Sequence, residues 1–174
     1  MKKTINLFVD MDGTVAKFYY KKNYLEKMYE QGYFENLPVY SIAKDIDELA
    51  KQDTCVQVYI LSACIDSPYC EQEKMAWLFK NMPNIPKERF IFTKVGENKK
   101  DKASKQVATW QNCVNILLDD YTLNLEQWQG QDCMGIKFLN GINNTTQTWQ
   151  GAKVKTFGTL MEYLQKIAMY GQIE

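Results

Sequence analysis

Apolar and polar positions along the chain follow two rhythms. Short runs rich in Val, Ile, Leu and Phe occur at 5–9, 56–61, 90–93, 114–118 and 134–139, and each predicts a β-strand. Between them, apolar residues fall three and four apart, the spacing of a helix face. Ile42, Ile46, Leu49 and Ala50 form one such face, with Ser41 placed to cap its start. Pro68 begins or precedes a second helix carrying Met75, Trp77, Leu78 and Phe79, and Asn81, Pro83, Asn84 and Pro86 close it. A third is predicted over 99–111, with Ala103, Val107 and Trp110 inward and Asn98 with Asp101 resembling a capping box. Shorter helices are expected over 24–29, where Leu25, Met28 and Tyr29 share a face that Gly32 terminates, and over 124–128. A final amphipathic helix covers 159–169, after a polar loop at 140–148. Strands alternating with helices predict an α/β fold, a parallel sheet with helices on both faces. Residues 15–40 read as a small helical insertion after the first strand. No low-complexity linker divides the chain, so its 174 residues are expected to form one domain.

The candidate chemistry sits where strands stop. The first run, Ile-Asn-Leu-Phe-Val, ends in Asp10-Met11-Asp12-Gly13-Thr14. Side chains alternate along a strand, so Asp10 and Asp12 leave on the same side, and Gly13 permits a sharp turn close to a ligand. The second strand ends in Ser62-Ala63 and the fourth in Asp119-Asp120. In a parallel sheet these ends lie along one edge, where ligands bind. Four carboxylates gathered there repel one another, and a divalent cation with a bound phosphate relieves that repulsion. A calcium loop does not fit, because its glycine belongs at position 6 and its glutamate at position 12, where this chain has Lys21.

Composition narrows the reading by exclusion. The 21 basic residues balance 21 acidic ones, which leaves no electrostatic reason for a nucleic-acid partner. With no histidine in the chain, Ser-His-Asp and Cys-His catalysis and histidine-bearing zinc sites are excluded, and oxygen-ligated Mg²⁺ becomes the default metal. Neither GxGxxG nor GxxxxGK[ST] occurs. The Met-Lys-Lys start resembles the head of a signal peptide, but Asn6 and Asp10 cut the apolar stretch that follows too early. No run reaches membrane-spanning length. The five cysteines (55, 64, 70, 113 and 133) are odd in number and form no close pair, so reduced thiols and a cytoplasmic location are expected.

Asp-Met-Asp-Gly-Thr (10–14), Leu-Ser-Ala (61–63), a lysine-bearing helix start and Leu-Leu-Asp-Asp (117–120) resemble the four motifs of the haloacid dehalogenase-like (HAD) phosphohydrolases. Gly-Tyr-Phe-Glu-Asn-Leu-Pro (32–38), Glu-Lys-Met-Ala-Trp (73–77) and Asp-Asp-Tyr-Thr-Leu-Asn-Leu-Glu-Gln-Trp (119–128) are similar to the cytosolic 5′(3′)-deoxyribonucleotidases and their bacterial and phage relatives. The resemblance implies a HAD-like Rossmannoid sheet with a small helical cap after the first strand. It also implies a Mg²⁺-dependent phosphomonoesterase acting on nucleoside monophosphates through an aspartyl-phosphate. Asp10 would be the nucleophile and Asp12 the acid and base. Asp10, the Asp12 carbonyl and Asp120 would hold Mg²⁺, with Asp119 acting through water or outer contacts. Ser62 and backbone N–H groups near Ala63 would hold the transferring phosphoryl oxygens.

The phosphate-binding lysine has two candidates. Lys99 extends the Ala103–Val107–Trp110 stripe by one turn and is favoured, whereas Asp101-Lys102 resembles the Asp-Lys of some relatives and keeps Lys102 open. Lys74 is a further candidate for the phosphate, with a solvated helix lysine as its alternative. Leu61 departs from relatives that carry a hydroxyl there. Phe18, Tyr19 and Phe34 flank the carboxylate turn or sit in a loop, and are assigned to stacking on a flat ligand. Tyr24 and Tyr29 are assigned to the core. The expected partner is a small nucleotide phosphomonoester, without nucleic acid or membrane, and a homodimer is left open. Two alternatives stand beside this: a HAD phosphatase of another small phosphoester, and a non-catalytic phosphate-binding module.

Overall fold

The computed structural model describes residues 3–19, 21–52, 54–143 and 148–171. Met1 and Lys2 of the signal-like start, and positions 144–147 of the polar loop, lie outside the described residues. Among the described residues six strands, β1 (Ile5–Val9), β2 (Val56–Cys64), β3 (Phe90–Lys94), β4 (Val114–Asp119), β5 (Cys133–Phe138) and β6 (Lys153–Val154), form one sheet in the order β3-β2-β1-β4-β5-β6. Every pairing is parallel. Winding runs outward from β1 to β3, then resumes on the other side of β1 with β4. The crevice at the carboxyl ends of β1 and β4 is therefore the topological switch point, the favoured ligand site of such sheets.

β1 and β4 are buried at every position, as strands covered on both faces must be. Ile5, Leu7 and Val9 face α2 (Ile42–Lys51), α3 (Cys70–Asn81) and α6 (Phe157–Tyr170). Phe8 faces α4 (Lys99–Gln106) and α5 (Thr122–Trp128), with its ring 5.0 Å from that of Trp128 and 5.7 Å from that of Trp110. Asn6 is buried on this second face and is paired there. It donates to Asn115 Oδ1 at 2.9 Å and accepts from Thr109 at 3.1 Å, so its burial leaves no orphaned polar group.

Several expected details are corrected. Among its described residues the insertion over 15–40 is mostly turns, with a single helix, α1 (Tyr24–Lys27), of four residues. One turn cannot present a stripe: Leu25 and Tyr29 are exposed, while Met28 and Tyr24 pack only partly against the core. Tyr33, Phe34 and Leu37 supply the buried part of this segment instead. Ser41 has helical backbone angles and makes no side-chain cap bond, because a capping hydroxyl needs an extended backbone to reach back. α3 turns Cys70, Glu73, Lys74, Trp77 and Leu78 inward, leaving Phe79 exposed and Met75 half-buried. α4 stops at Gln106, since Val107 is extended and Trp110 lies in a 3-10 turn, both packed beneath the sheet. β2 continues through Ser62 and Ala63 to Cys64. β6, only two residues long, carries too little pattern to be predicted. Among the described residues no helix is long and apolar enough to cross a membrane.

Candidate active site

Asp10 directly follows β1, and its N–H still donates to Leu118 O at 2.9 Å, which carries the ladder one residue beyond the strand. The chain then folds back tightly, with Val15 and Ala16 N–H donating to Met11 O at 3.1 and 2.9 Å. Gly13 has φ 82°, in the left-handed region. A Cβ there would also run into the Asp120 carboxylate, so conformation and crowding both require glycine.

One ammonium joins the ends of β1 and β4. Lys99, the first residue of α4, is 4% exposed and donates to Asp10 Oδ1 at 2.6 Å and Asp119 Oδ2 at 2.7 Å. Asn98 fixes that helix start by accepting from the N–H groups of Lys100 and Asp101. Asp119 also accepts from Tyr121 N–H at 2.8 Å and Asn124 Nδ2 at 2.9 Å. Asp120 accepts from Asn140 Nδ2 at 2.9 Å and, more weakly, from the Tyr19 hydroxyl at 3.4 Å. Asn140 Nδ2 reaches Gly13 O as well, at 3.0 Å, and Asn143 donates to Asp120 O at 3.0 Å.

These buried charges do not balance. Asp10, Asp119 and Asp120 each offer an oxygen, all within 4.8 Å of one another, and Lys99 is the ammonium bonded among them. Burial pushes the Asp10 carboxyl up to about 7; Lys99 opposes this, and Asp119 and Asp12 reinforce it. Burial, then the charges of Asp119 and Asp10, hold Asp120 well above the usual carboxylate range. Burial pulls Lys99 down, but Asp10 and Asp119 outweigh it and its ammonium is held above its ordinary value. Hard oxygen donors, excess negative charge and close spacing are the donor chemistry of a small divalent cation, so these residues fit one.

A second ammonium stands across the turn. Lys74, fully buried, donates to Asp12 Oδ2 at 2.5 Å, Ser62 Oγ at 3.0 Å and Ala63 O at 2.6 Å. Burial lowers its proton affinity, but Asp12, Cys70 and Cys64 together outweigh that and the net shift is upward. Asp12 Oδ1 and Thr14 Oγ1 are buried with no hydrogen-bond partner among the described residues, so polar atoms are left over beside the carboxylates.

The structure therefore brings together Asp10, Asp12, Ser62, Lys74, Lys99, Asp119 and Asp120. Ala63 lies within β2, opposite Thr93, with its carbonyl on Lys74. Lys102 is half-buried elsewhere on α4, and no described bond joins it to the carboxylates. Tyr19 lines a cavity of about 600 Å³ with Lys22, Tyr24, Asp120 and Tyr121. Phe18 and Phe34 are not on that wall: their rings stack on each other, centroids 6.1 Å apart, and Phe34 is buried over Lys74. Asn140, Asn143 and Asn124 were not singled out from the sequence. A signal for Asn140 existed: it closely follows β5, on the same sheet edge as the other strand-end residues.

A family model described as 5′ nucleotidase, deoxy (Pyrimidine), cytosolic type C protein matches residues 20–155, more than half of the chain. No curated protein matches the chain. The matched stretch holds Ser62, Lys74, Lys99, Asp119, Asp120 and Asn140, and the sheet brings Asp10 and Asp12 to them.

Proposed function

The chain belongs to the deoxy (pyrimidine) cytosolic type C 5′-nucleotidase family, a family of hydrolases, and on that premise we propose that it is a Mg²⁺-dependent phosphomonoesterase of deoxynucleoside monophosphates. The observation that carries the reading is the bridge of Lys99 between Asp10 and Asp119 at the switch point, with Asp120 close by. Lys99 orients the Asp10 carboxylate by one oxygen, and the other is the nucleophile. Its attack on phosphorus forms an aspartyl-phosphate as the bond to the ester oxygen breaks. Asp12 delivers a proton to that leaving oxygen, then takes one from the water that hydrolyses the intermediate. Its Oδ1, which has no partner in the turn, is the atom left for this exchange. Ser62 Oγ and the Lys74 ammonium, 3.0 Å apart, hold the transferring phosphoryl oxygens.

Mg²⁺ would be held by the Asp10 carboxylate, the Asp12 main-chain carbonyl and Asp120, with Asp119 behind them, and when bound it supplies positive charge against the phosphate and the clustered carboxylates. Uncatalysed phosphate-monoester hydrolysis is so slow that the site must lower the barrier by more than roughly 20 kcal/mol. Fixed charges and positioning are the means available. Phosphate release from deoxy- and ribonucleoside monophosphates and sugar phosphates, with Mg²⁺ or EDTA, tests the reading. Metal-dependent release from deoxynucleotides, lost in Asp10→Asn, supports it. Equal release from sugar phosphates would discard the substrate, and nucleotide binding without turnover in excess Mg²⁺ would discard the enzyme.

A further inference from the structure

Glu73 is a buried carboxylate that the proposed chemistry does not use. It is 7% exposed, and among the described residues no ion pair reaches it. Burying a carboxylate without a cation is costly, so whatever satisfies it must be strong. Its partners are two backbone N–H groups of the insertion: Gly32 N–H donates to Oε1 at 2.5 Å and Phe34 N–H to Oε2 at 3.0 Å. Gly32, with φ 84°, makes the turn that lets both N–H groups converge on one carboxylate. One helical turn further along α3, Trp77 Nε1 donates to Leu37 O at 2.7 Å and fastens the other end of the loop.

The residue after Glu73 is Lys74, which reaches into the candidate site. The loop that Glu73 holds places the Phe34 ring 4.8 Å from Lys74 Nζ and stacks it against Phe18. Tyr33 of the same loop donates to Phe18 O at 2.5 Å, so Phe18 is held through it too. Phe18 packs edge-on against Tyr19, centroids 5.2 Å apart, and Tyr19 lines the cavity beside Asp120. A continuous chain of contacts thus runs from Glu73 to the cavity wall.

We infer that Glu73 is a positioning residue: its carboxylate clamps the 32–34 loop onto α3, and so sets the aromatic wall that holds the part of the substrate beyond the phosphate. This rests on the nucleotidase reading. Glu73→Gln tests it, because the amide keeps the shape but offers one acceptor oxygen, and its NH₂ then faces an N–H donor. The KM for a deoxynucleoside monophosphate should rise about tenfold, the effect of one lost charge-assisted bond, with kcat little changed. Inhibition by inorganic phosphate, which needs no aromatic wall, should stay within about twofold of wild type. A merely structural role would move both constants together with thermal stability. Phe34→Leu leaves both Glu73 bonds in place and should raise KM alone in the same way, so the test survives a Glu73→Gln chain that does not fold. Combined in one chain, the two changes should be less than additive. An unchanged KM in Glu73→Gln, an equal weakening of phosphate inhibition, or full additivity overturns the inference while wild-type turnover leaves the nucleotidase reading standing. A wild type that releases no phosphate from nucleotides overturns both.

Discussion

Replacing the proposed nucleophile should stabilise the metal-free protein. Asp10 is 5% exposed, and its carboxyl is pushed from 3.8 up to about 7, first by burial and then, despite Lys99, by Asp119 and Asp12. The folded state therefore binds this proton more tightly than the unfolded chain does. Stability contributed by the protonated group is intact below pH 3.8 and is lost as pH climbs to about 7. The whole interval corresponds to about 4 kcal/mol, more than half of it falling between roughly pH 5 and 8. Asp10→Asn keeps the shape and removes the titration. In EDTA at pH 8 the variant should be more stable than wild type by about 2–4 kcal/mol, or roughly 2–4 °C in Tm for each kcal/mol, with the gap less than half as large near pH 5. Urea unfolding at the two pH values measures it. Saturating Mg²⁺ should close or reverse the gap, since a cation on these oxygens favours the ionised wild type. A variant no more stable than wild type at pH 8, or a gap that ignores pH, would show that Asp10 is not burdened with uncompensated charge.

Lys99→Met leaves Asp10 and Asp119 without their ammonium, and in EDTA it should cost about 3–5 kcal/mol by urea unfolding. Mg²⁺ should restore part of that, and phosphate release should still be lost. Gly13→Ala pairs a left-handed φ with a methyl group against Asp120. It should lower Mg²⁺ affinity, read by calorimetry, and cost about 1–3 kcal/mol of stability. Asn140→Asp exchanges a donor to Asp120 for a second acceptor at 2.9 Å, so its folded state should weaken between pH 5 and pH 8 in EDTA more steeply than wild type. Equal pH profiles for the two chains would remove Asn140 from the site.

What the sequence conveyed well was set by the backbone. Short apolar runs located five of the strands, and the ends of β1, β2 and β4 identified one edge, because a parallel sheet leaves little choice about where those ends meet. Patterns failed where a polar side chain is buried for its charge. Glu73 and Lys74 sit on the inward face of α3, where hydropathy assigned Met75 and Phe79. No periodicity rule anticipates that a carboxylate and an ammonium are buried side by side because each has a partner outside its own helix. Asp12 and Ser62 hold Lys74, and the N–H groups of the insertion hold Glu73. The same reasoning separates Lys99 from Lys102: an apolar stripe that ends in a lysine marks a cation carried inward, and Lys99 is buried between two carboxylates whereas Lys102 is not. The mismatch on α3 is itself informative. A helix of modest amphipathicity that spends two inward positions on opposite charges gains less core than it could. That sacrifice is understandable only if one charge reaches toward the phosphate and the other holds the loop above it. In Glu73→Met the second charge is removed and a better core face is offered, so the helix should keep its packing while the insertion loses its clamp. A nucleotide KM as low as wild type in that chain would mean the inward charges serve the fold alone.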